Sequence, residues 1–259
     1  MLTVQGLSLV AFICTVYSFF ASQTSVSFFI PQREKGRYIV NEKNKITVKQ
    51  ITGIGMFSAL AFITTLVCKL IPNVAGFLSL DAKDAVIAIA SFIYGPLAAP
   101  VISLIVAFIE FITISETGIW GFLMNFASST VFSLTASLIY KYKKSFNAAI
   151  VGFCASVVLT TAVMLLLNPL IIPMFTPAVT PEVVVSMIPT LLLPFNFAKT
   201  LMNSALAILL YKPIINALRM AGFVKRGEYK TEFNKLSVIT LITGGVALLV
   251  AVVILIFIW

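Results

Sequence analysis

Eight long apolar runs divide this 259-residue chain, and they restrict its fold more than any other feature. A helix needs roughly 20 apolar residues to cross a hydrocarbon core, and its backbone must satisfy its own hydrogen bonds there. The runs are continuous rather than alternating, which favours helices over membrane strands. We therefore predict an all-α, polytopic membrane helical bundle. Its spans are expected at residues 7–30, 50–71, 81–95, 97–115, 119–140, 147–170, 186–211 and 237–258. The third, at 81–95, is short for a full crossing and is expected to lie partly buried among its neighbours.

The composition narrows the chemistry that such a bundle can perform. Hydrophobic residues make up 60% of the chain and charged residues 10%. In soluble domains, about 45–50% of the residues are hydrophobic and about a quarter are charged. Histidine is absent and the three cysteines lie in separate apolar runs, which argues against zinc sites, a disulfide framework and histidine acid–base chemistry. No P-loop occurs, so active transport would need an ion gradient or an ATP-driven partner.

Basic residues indicate how the chain is oriented. Fifteen of the 18 Lys and Arg residues fall in the stretches 33–49, 141–144 and 212–235, which eight spans place on one side. The positive-inside rule makes that side cytoplasmic and predicts both termini to be extracellular. The net charge of +9 is then explained by anionic membrane lipids, and no nucleic-acid partner is predicted.

The two outermost spans differ from the middle six because neither carries an ionisable group in its interior. No basic residue precedes the first apolar run, so that run lacks the charged start of a signal peptide. The proline-rich segment 171–185 is expected to be either an extended external lid or a plain connector. These features predict three regions: an extra helix with a basic linker at 1–47, a six-helix core at 48–213, and a basic linker with a second extra helix at 214–259.

Polar residues inside the middle spans are costly in hydrocarbon, so each needs a partner, a cavity or a ligand. Asn196 and Lys199 lie three residues apart on one helical face, and Asn203 follows four residues later. An amide and an ammonium side by side suit a planar heterocycle that bears carbonyls and ring N–H groups. Alternatively, Lys199 pairs with Asp84 or Glu110 and locks the bundle, or it snorkels towards the interface.

Other residues leave two interpretations open. Asp81 and Asp84 are suited to the N-cap and first turn of a helix. Glu110 is expected to be a paired structural acid, with a proton relay as the alternative. Gly55 and Ala59, at spacing i, i+4, form a small-residue face for close approach of another helix, within the bundle or on a partner protein.

Five short motifs, taken together, carry a family resemblance. They are FSALAF at 57–62, LDAKD at 80–84, FIYGP at 92–96, SETG at 115–118 with GFLMN at 121–125, and PFNFAK at 194–199. In these motifs the middle spans, about residues 48–213, resemble the S components of energy-coupling factor (ECF) transporters, and most of all the riboflavin-binding ones. The resemblance implies a six-helix core around a pocket near the outer face, here with one extra transmembrane helix at each end.

The same resemblance implies roles for individual residues. Asn196 and Lys199 match positions that hydrogen-bond the isoalloxazine ring, and Asn168 lies where a further amide contributes. The loop at 72–80 matches a lid over the ligand, and Gly55 and Ala59 match the small-residue motif that docks on the transmembrane partner. The implied substrate-binding residues are Asn196, Lys199, Asn168, Phe77, Leu78, Ser79, Leu80 and Asn125.

The resulting expectation is a riboflavin-binding subunit in the cell membrane that works with an ECF transmembrane coupling subunit and two ATPase subunits. Riboflavin enters as the transported ligand, and no cofactor, metal site or catalytic residue is predicted. One alternative is an S component for another vitamin, such as folate, thiamine or pantothenate. A second alternative is a non-transporting membrane scaffold or sensor. An intramembrane enzyme is disfavoured because the sequence has no nucleophile–base or metal constellation.

Overall fold

The computed structural model describes residues 33–34, 37–38, 48–70, 73–74, 78–143, 146–176, 178–220 and 235–258, so the predicted span at 7–30 lies outside it. The chain divides after Ile51 into two units, and the helical bundle is formed by the second. A pair of antiparallel two-residue strands is the one departure from helix among the regular elements described. The elements are β1 Arg33–Glu34, β2 Arg37–Tyr38, α1 Val48–Cys68, α2 Lys83–Tyr94, α3 Ala98–Thr113, α4 Gly118–Lys143, α5 Phe146–Phe175, α6 Pro181–Ser186, a π-helical turn Ile188–Leu192, α7 Leu193–Met220 and α8 Lys235–Ile258.

The predicted helical membrane architecture is confirmed in its main features. Four described helices have the length and apolar composition needed to cross a membrane, and two further apolar helices are shorter. Helix α1 is the least enclosed of the four, with 28% of its most apolar window buried, against 44–56% for the others. The four are Val48–Cys68, Gly118–Tyr142, Asn147–Phe175 and Ile188–Tyr211, and the shorter two are Ala98–Thr113 and Gly244–Leu255.

Helix α2 forms the centre of the bundle. It is only 12 residues long, its first ten residues are all buried, and it packs against α3, α4 and α7. This confirms that the short apolar run at 81–95 sits among its neighbours rather than crossing the bilayer alone. A turn at Gly95, with φ of 100°, leads into α3, and this left-handed conformation is one that glycine adopts at little cost.

Helix α5 continues through two prolines, which overturns part of a prediction. Pro169 and Pro173 lie inside the helix, which ends only at Phe175, so residues 171–175 are not an extended lid. Each proline removes one backbone hydrogen bond, but neighbouring helices compensate for such losses in membrane bundles. The remaining connector leads at Pro181 into the short helix α6.

The C-terminal helix α8 belongs to the same unit as the core, where it packs along α7. Gly244 allows this close approach, since a Cβ at that position would meet the side chain of Leu209 and the carbonyl oxygen of Ala205. The small residue therefore acts in helix packing.

Candidate ligand-binding site

A cavity of about 290 Å³ lies at one end of the bundle. Because successive long helices run in opposite directions, the ends of α1, α3 and α5 meet there with the starts of α4 and α7 and with the segment leading into α2. The volume is at the lower end of the range usual for small-molecule sites. Lys141, in one of the basic stretches, lies at the opposite end of α4.

Most residues predicted to bind a ligand line this cavity, although they come from widely separated parts of the chain. The exception, Phe77, lies outside the described residues. The fold therefore brings residues 78–80, from the predicted lid loop, together with amides of α4, α5 and α7. The predicted residues that line the cavity are Leu78, Ser79, Leu80, Asn125, Asn168, Asn196 and Lys199.

Lys199 makes an ion pair with a partner that the sequence did not indicate. Its Nζ lies 2.8 Å from Oδ2 of Asp81, so the alternative that pairs Lys199 with Asp84 or Glu110 is wrong. Helix α7 packs beside the start of α2, which places this lysine against the carboxylate just before that helix. The carboxylate of Asp84 instead accepts a hydrogen bond from Ser129 on α4.

A second buried ion pair lies in the same cavity wall. Lys83 donates to both carboxylate oxygens of Glu110, over 2.8 and 2.7 Å, and is 3.7 Å from Oδ2 of Asp81. Thr65 donates to Oε1 of the same glutamate at 3.0 Å, and Asn125 donates to Oε2 at 2.9 Å. Glu110 is therefore a paired acid, and the hydrogen bonds around it offset part of the cost of burying the charges. The pair also links α1, α2, α3 and α4 at the cavity.

The start of α2 is capped by another helix rather than by its own residues. Asn203 on α7 accepts a hydrogen bond from the backbone N–H of Ala85 at 3.0 Å and donates to the carbonyl oxygen of Asp81 at 2.8 Å. Helix α2 has no side-chain N-cap, so the interpretation of an aspartate there as an N-cap is wrong, although Asp84 does lie in the first turn. Asn203, which follows Asn196 and Lys199 along the same face of α7, thus positions the chain leading into α2.

Two further amides in the cavity lining, Asn196 and Asn168, differ in their bonding. Asn196 donates through Nδ2 to the carbonyl oxygen of Leu192, at 2.7 Å, where the π-helical turn meets α7. Asn168 is 1% exposed, and neither its Oδ1 nor its Nδ2 has a hydrogen-bond partner among the described residues. Leaving a buried polar group unsatisfied costs about 1–3 kcal/mol, so this amide has free capacity for a ligand.

Aromatic rings complete the apolar part of the lining. Phe195 lines the cavity, whereas Phe197 and Trp120 are not among the lining residues. Phe111 and Phe122 also line it, with ring centroids 5.9 Å apart. Asp81 and Glu110 stood out in the sequence as acids in or beside apolar runs, but only the fold assigns them, together with Lys83, to the cavity.

The small-residue pair on α1 faces away from the described bundle. Gly55 and Ala59 are exposed, and a Cβ added at Gly55 would meet nothing within 4 Å. Gly53, two residues earlier, has the opposite environment, since a Cβ there would collide with the phenol of Tyr94. Of the two roles left open by the sequence, packing against the described bundle is thereby excluded for the Gly55–Ala59 face.

Comparison with known proteins identifies the family. Residues 49–215, nearly two thirds of the chain, match the family model described as the ECF transporter, substrate-specific component. The chain belongs to this family. It is thus an S component, a multi-pass membrane protein of a transport system, and the matched range contains every described residue of the cavity.

Two curated relatives and one solved structure agree with this assignment. The riboflavin transporter RibU of Staphylococcus aureus (strain TCH60) is 30% identical over 195 residues, which cover 72% of this S component and 100% of the relative. The riboflavin transporter FmnP of Bacillus subtilis (strain 168) is 29% identical over 185 residues, which cover 67% of this chain and 97% of the relative. The solved S component of a bacterial ECF transporter is 30% identical, with a TM-score of 0.57, covering 66% of this chain and 98% of that one.

Proposed function

We propose that this S component binds riboflavin and serves as the substrate-capture subunit of an ECF-type transporter. The observation that carries the proposal is the cavity in which Lys199, Asn196 and Asn168 meet, because Asn168 holds buried polar atoms without partners. Two relatives named as riboflavin transporters, each matched over nearly its whole length, support the same ligand. The three side chains would hydrogen-bond the isoalloxazine ring, with Leu78, Ser79 and Leu80 covering it and Asn125 completing the wall.

The cavity chemistry suits a flat, uncharged heterocycle. Apolar rings such as Phe195 and Phe122 offer surfaces for the faces of the ring system, while the amides and the ammonium of Lys199 meet its edge. Polar groups placed beside apolar surface fix the orientation of a small molecule in its site. Wrong ligands would leave these buried groups unpaired, and this penalty supplies the specificity.

The cavity would open to the extracellular side. Its lining lies at the end of α4 remote from Lys141, and the positive-inside rule puts the basic stretches in the cytoplasm. This orientation goes with a six-helix core at 48–213, flanked by one extra transmembrane helix at each end, with both termini outside. Riboflavin would then be captured from outside the cell.

Transport would be driven by partner subunits, since the chain carries no P-loop. We expect an ECF transmembrane coupling subunit and two ATPase subunits, with the exposed Gly55–Ala59 face of α1 docking on the coupling subunit. Small residues on a lipid-facing surface let a partner helix approach closely. Reorientation of the docked protein would release riboflavin inside.

The direct test of the ligand is the visible spectrum of protein purified in detergent from cells grown with riboflavin. A yellow preparation with flavin absorbance, and a denatured extract containing riboflavin, are expected. Competition titrations with FMN, folate, thiamine and pantothenate then define the ligand class. Saturable binding of one of the last three, with no binding of riboflavin, would replace the proposal with that vitamin.

A second test separates transport from a scaffold or sensor role. Uptake of labelled riboflavin is measured in cells that lack other riboflavin transporters, with the S component expressed alone or together with the coupling and ATPase subunits. We expect accumulation only with the complete set. Riboflavin binding without uptake under any of these conditions would favour the sensor.

A further inference from the structure

The two carboxylate oxygens of Asp81 have different surroundings. Oδ2 is 2.8 Å from the ammonium of Lys199 and 3.7 Å from that of Lys83. Oδ1 is buried and has no hydrogen-bond partner among the described residues, although Asp81 as a whole is only 3% exposed and lines the cavity. One oxygen therefore holds the cavity wall together, and the other is available.

An unpartnered carboxylate oxygen in a buried site calls for an explanation, because nearly all buried polar atoms in proteins are hydrogen-bonded. An ionised carboxylate can only accept hydrogen bonds, so the missing partner must be a donor. Among the described cavity-lining residues, the other buried polar side-chain atoms without partners are Oδ1 and Nδ2 of Asn168. The cavity thus presents an acceptor on Asp81 in addition to an amide on α5.

We propose that Asp81 is a specificity-determining residue, whose Oδ1 accepts a hydrogen bond from the ring N–H of a cyclic imide in the ligand. The inference rests on the proposed function, in which that N–H is N3–H of the isoalloxazine ring. The imide edge of a flavin presents a carbonyl, an N–H and a second carbonyl in a row. Its complement is a donor, an acceptor and a donor, and the contact between Lys199 and Asp81 places a donor beside an acceptor.

The position of Asp81 is well determined by its neighbours. Its carbonyl oxygen accepts a hydrogen bond from Nδ2 of Asn203 at 2.8 Å, and its side chain is held between Lys199 and Lys83. An acceptor fixed in this way cannot turn away from a ligand that lacks the donor. Sites built to hydrogen-bond an N–H reject analogues without it far more strongly than apolar pockets reject a changed methyl group.

The first experiment compares riboflavin with 3-methylriboflavin on the native protein, by quenching of flavin fluorescence. The methyl group removes the N3–H donor, and we expect affinity to fall at least a hundredfold. An analogue substituted on the benzenoid ring serves as the control for bulk. Affinity for 3-methylriboflavin within threefold of that for riboflavin would overturn the proposal, whereas failure of riboflavin itself to bind would refute the proposed function instead.

The second experiment tests the contact itself, and the small number of aspartates simplifies the spectrum. The chain has only two aspartates, Asp81 and Asp84, so aspartate labelled with ¹³C at Cγ introduces two signals. Solid-state NMR then measures the distance from each to ¹⁵N3 of labelled riboflavin in the membrane-embedded protein. We expect a separation of roughly 4 Å for one signal, as an N–H···O hydrogen bond to the carboxylate requires.

The variant Asp84→Asn assigns that signal and acts as the matched control. Asp84 is a buried acid three residues away that is bonded to Ser129 and is not among the cavity-lining residues. The short distance should persist in Asp84→Asn, because the remaining labelled carboxylate is then Asp81. Loss of the short distance in that variant, or its absence from the native complex despite bound riboflavin, would overturn the proposal.

Discussion

The ammonium of Lys199 lies 2.8 Å from Oδ2 of Asp81 and so joins α7 to the residues that lead into α2, across 118 positions of the sequence. Both residues line the cavity, where Lys83 also lies 3.7 Å from Asp81 and pairs with Glu110. Lys199 is therefore held in place by the protein while its remaining donors can serve a ligand. The ion pair is therefore compatible with the proposed binding role, although the sequence had suggested the two roles as alternatives.

Replacing Lys199 by alanine should weaken riboflavin binding at least tenfold. A hydrogen bond to a charged group contributes about 1.5–3 kcal/mol, and tenfold corresponds to about 1.4 kcal/mol. Titration of flavin fluorescence gives the dissociation constant, and Lys141→Ala, an exposed lysine at the other end of α4, is the control. An unchanged dissociation constant combined with a lower melting temperature would show that the lysine only locks the bundle.

Replacing Asn168 by leucine should abolish tight riboflavin binding without destabilising the ligand-free protein. The amide has no described partner, so an apolar side chain of similar size removes an unsatisfied polar group worth about 1–3 kcal/mol. Thermal unfolding in detergent without ligand measures this effect. The matched control is Asn203→Leu, also fully buried, whose amide bonds the chain around the start of α2 and whose loss should destabilise the protein.

If Asn168→Leu unfolds as readily as Asn203→Leu, the amide of Asn168 has a structural partner and its assignment to the ligand fails. If it remains stable but still binds riboflavin within threefold of the native affinity, the ligand does not use this amide.

Breaking the Lys83–Glu110 pair on one side should destabilise the protein strongly. Removing one partner of a buried ion pair costs about 3–5 kcal/mol, because the other charge is left uncompensated. We expect Lys83→Met to lower the melting temperature markedly, and the double variant Lys83→Met/Glu110→Gln to recover part of the loss. Thermal unfolding of the native protein, the two single variants and the double variant forms a double-mutant cycle. Strictly additive effects would mean that the two charges are not coupled.

Enlarging Gly55 should impair transport while leaving riboflavin binding intact. The side chain of Gly55→Leu would point into open space on α1, where it disturbs nothing in the described bundle but obstructs a docking partner. Uptake by the complete transporter and affinity of the isolated protein are measured together. Ala162→Leu, on the exposed side of α5, is the matched control for adding bulk to a lipid-facing position. Normal uptake with Gly55→Leu would remove the docking assignment.

Much of the cavity was predictable from single residues. Asn196 and Lys199 stood out because polar groups in hydrocarbon are costly, and the spacing of three placed them on one face. The ion-pair partners were not predictable, since Asp81, Asp84 and Glu110 are all acids in or beside apolar runs. The choice among them depends on the rotation of each helix about its axis, which nearby sequence does not encode.

The prolines of α5 illustrate the same limit. Pro169 and Pro173 locally favour a break, yet both lie inside the helix, which continues to Phe175. In membrane bundles, neighbouring helices can offset the backbone hydrogen bonds that prolines remove. In contrast, the short buried span at α2 was correctly predicted, because its length alone is too small for a membrane crossing.

By itself, the sequence determined the helical membrane architecture, because the bilayer sets the length of an apolar run and forbids unpaired backbone. It also determined which side chains require a partner, a cavity or a ligand, since burying an amide or a charge in hydrocarbon is costly wherever it occurs. Only the tertiary structure decided how those side chains are used. Packing pairs Lys199 with Asp81 and Lys83 with Glu110. It leaves Asn168 and one oxygen of Asp81 without described partners at a cavity, and it turns Gly55 outwards. The sequence alone could not decide these contacts, because they arise between helices far apart in the chain.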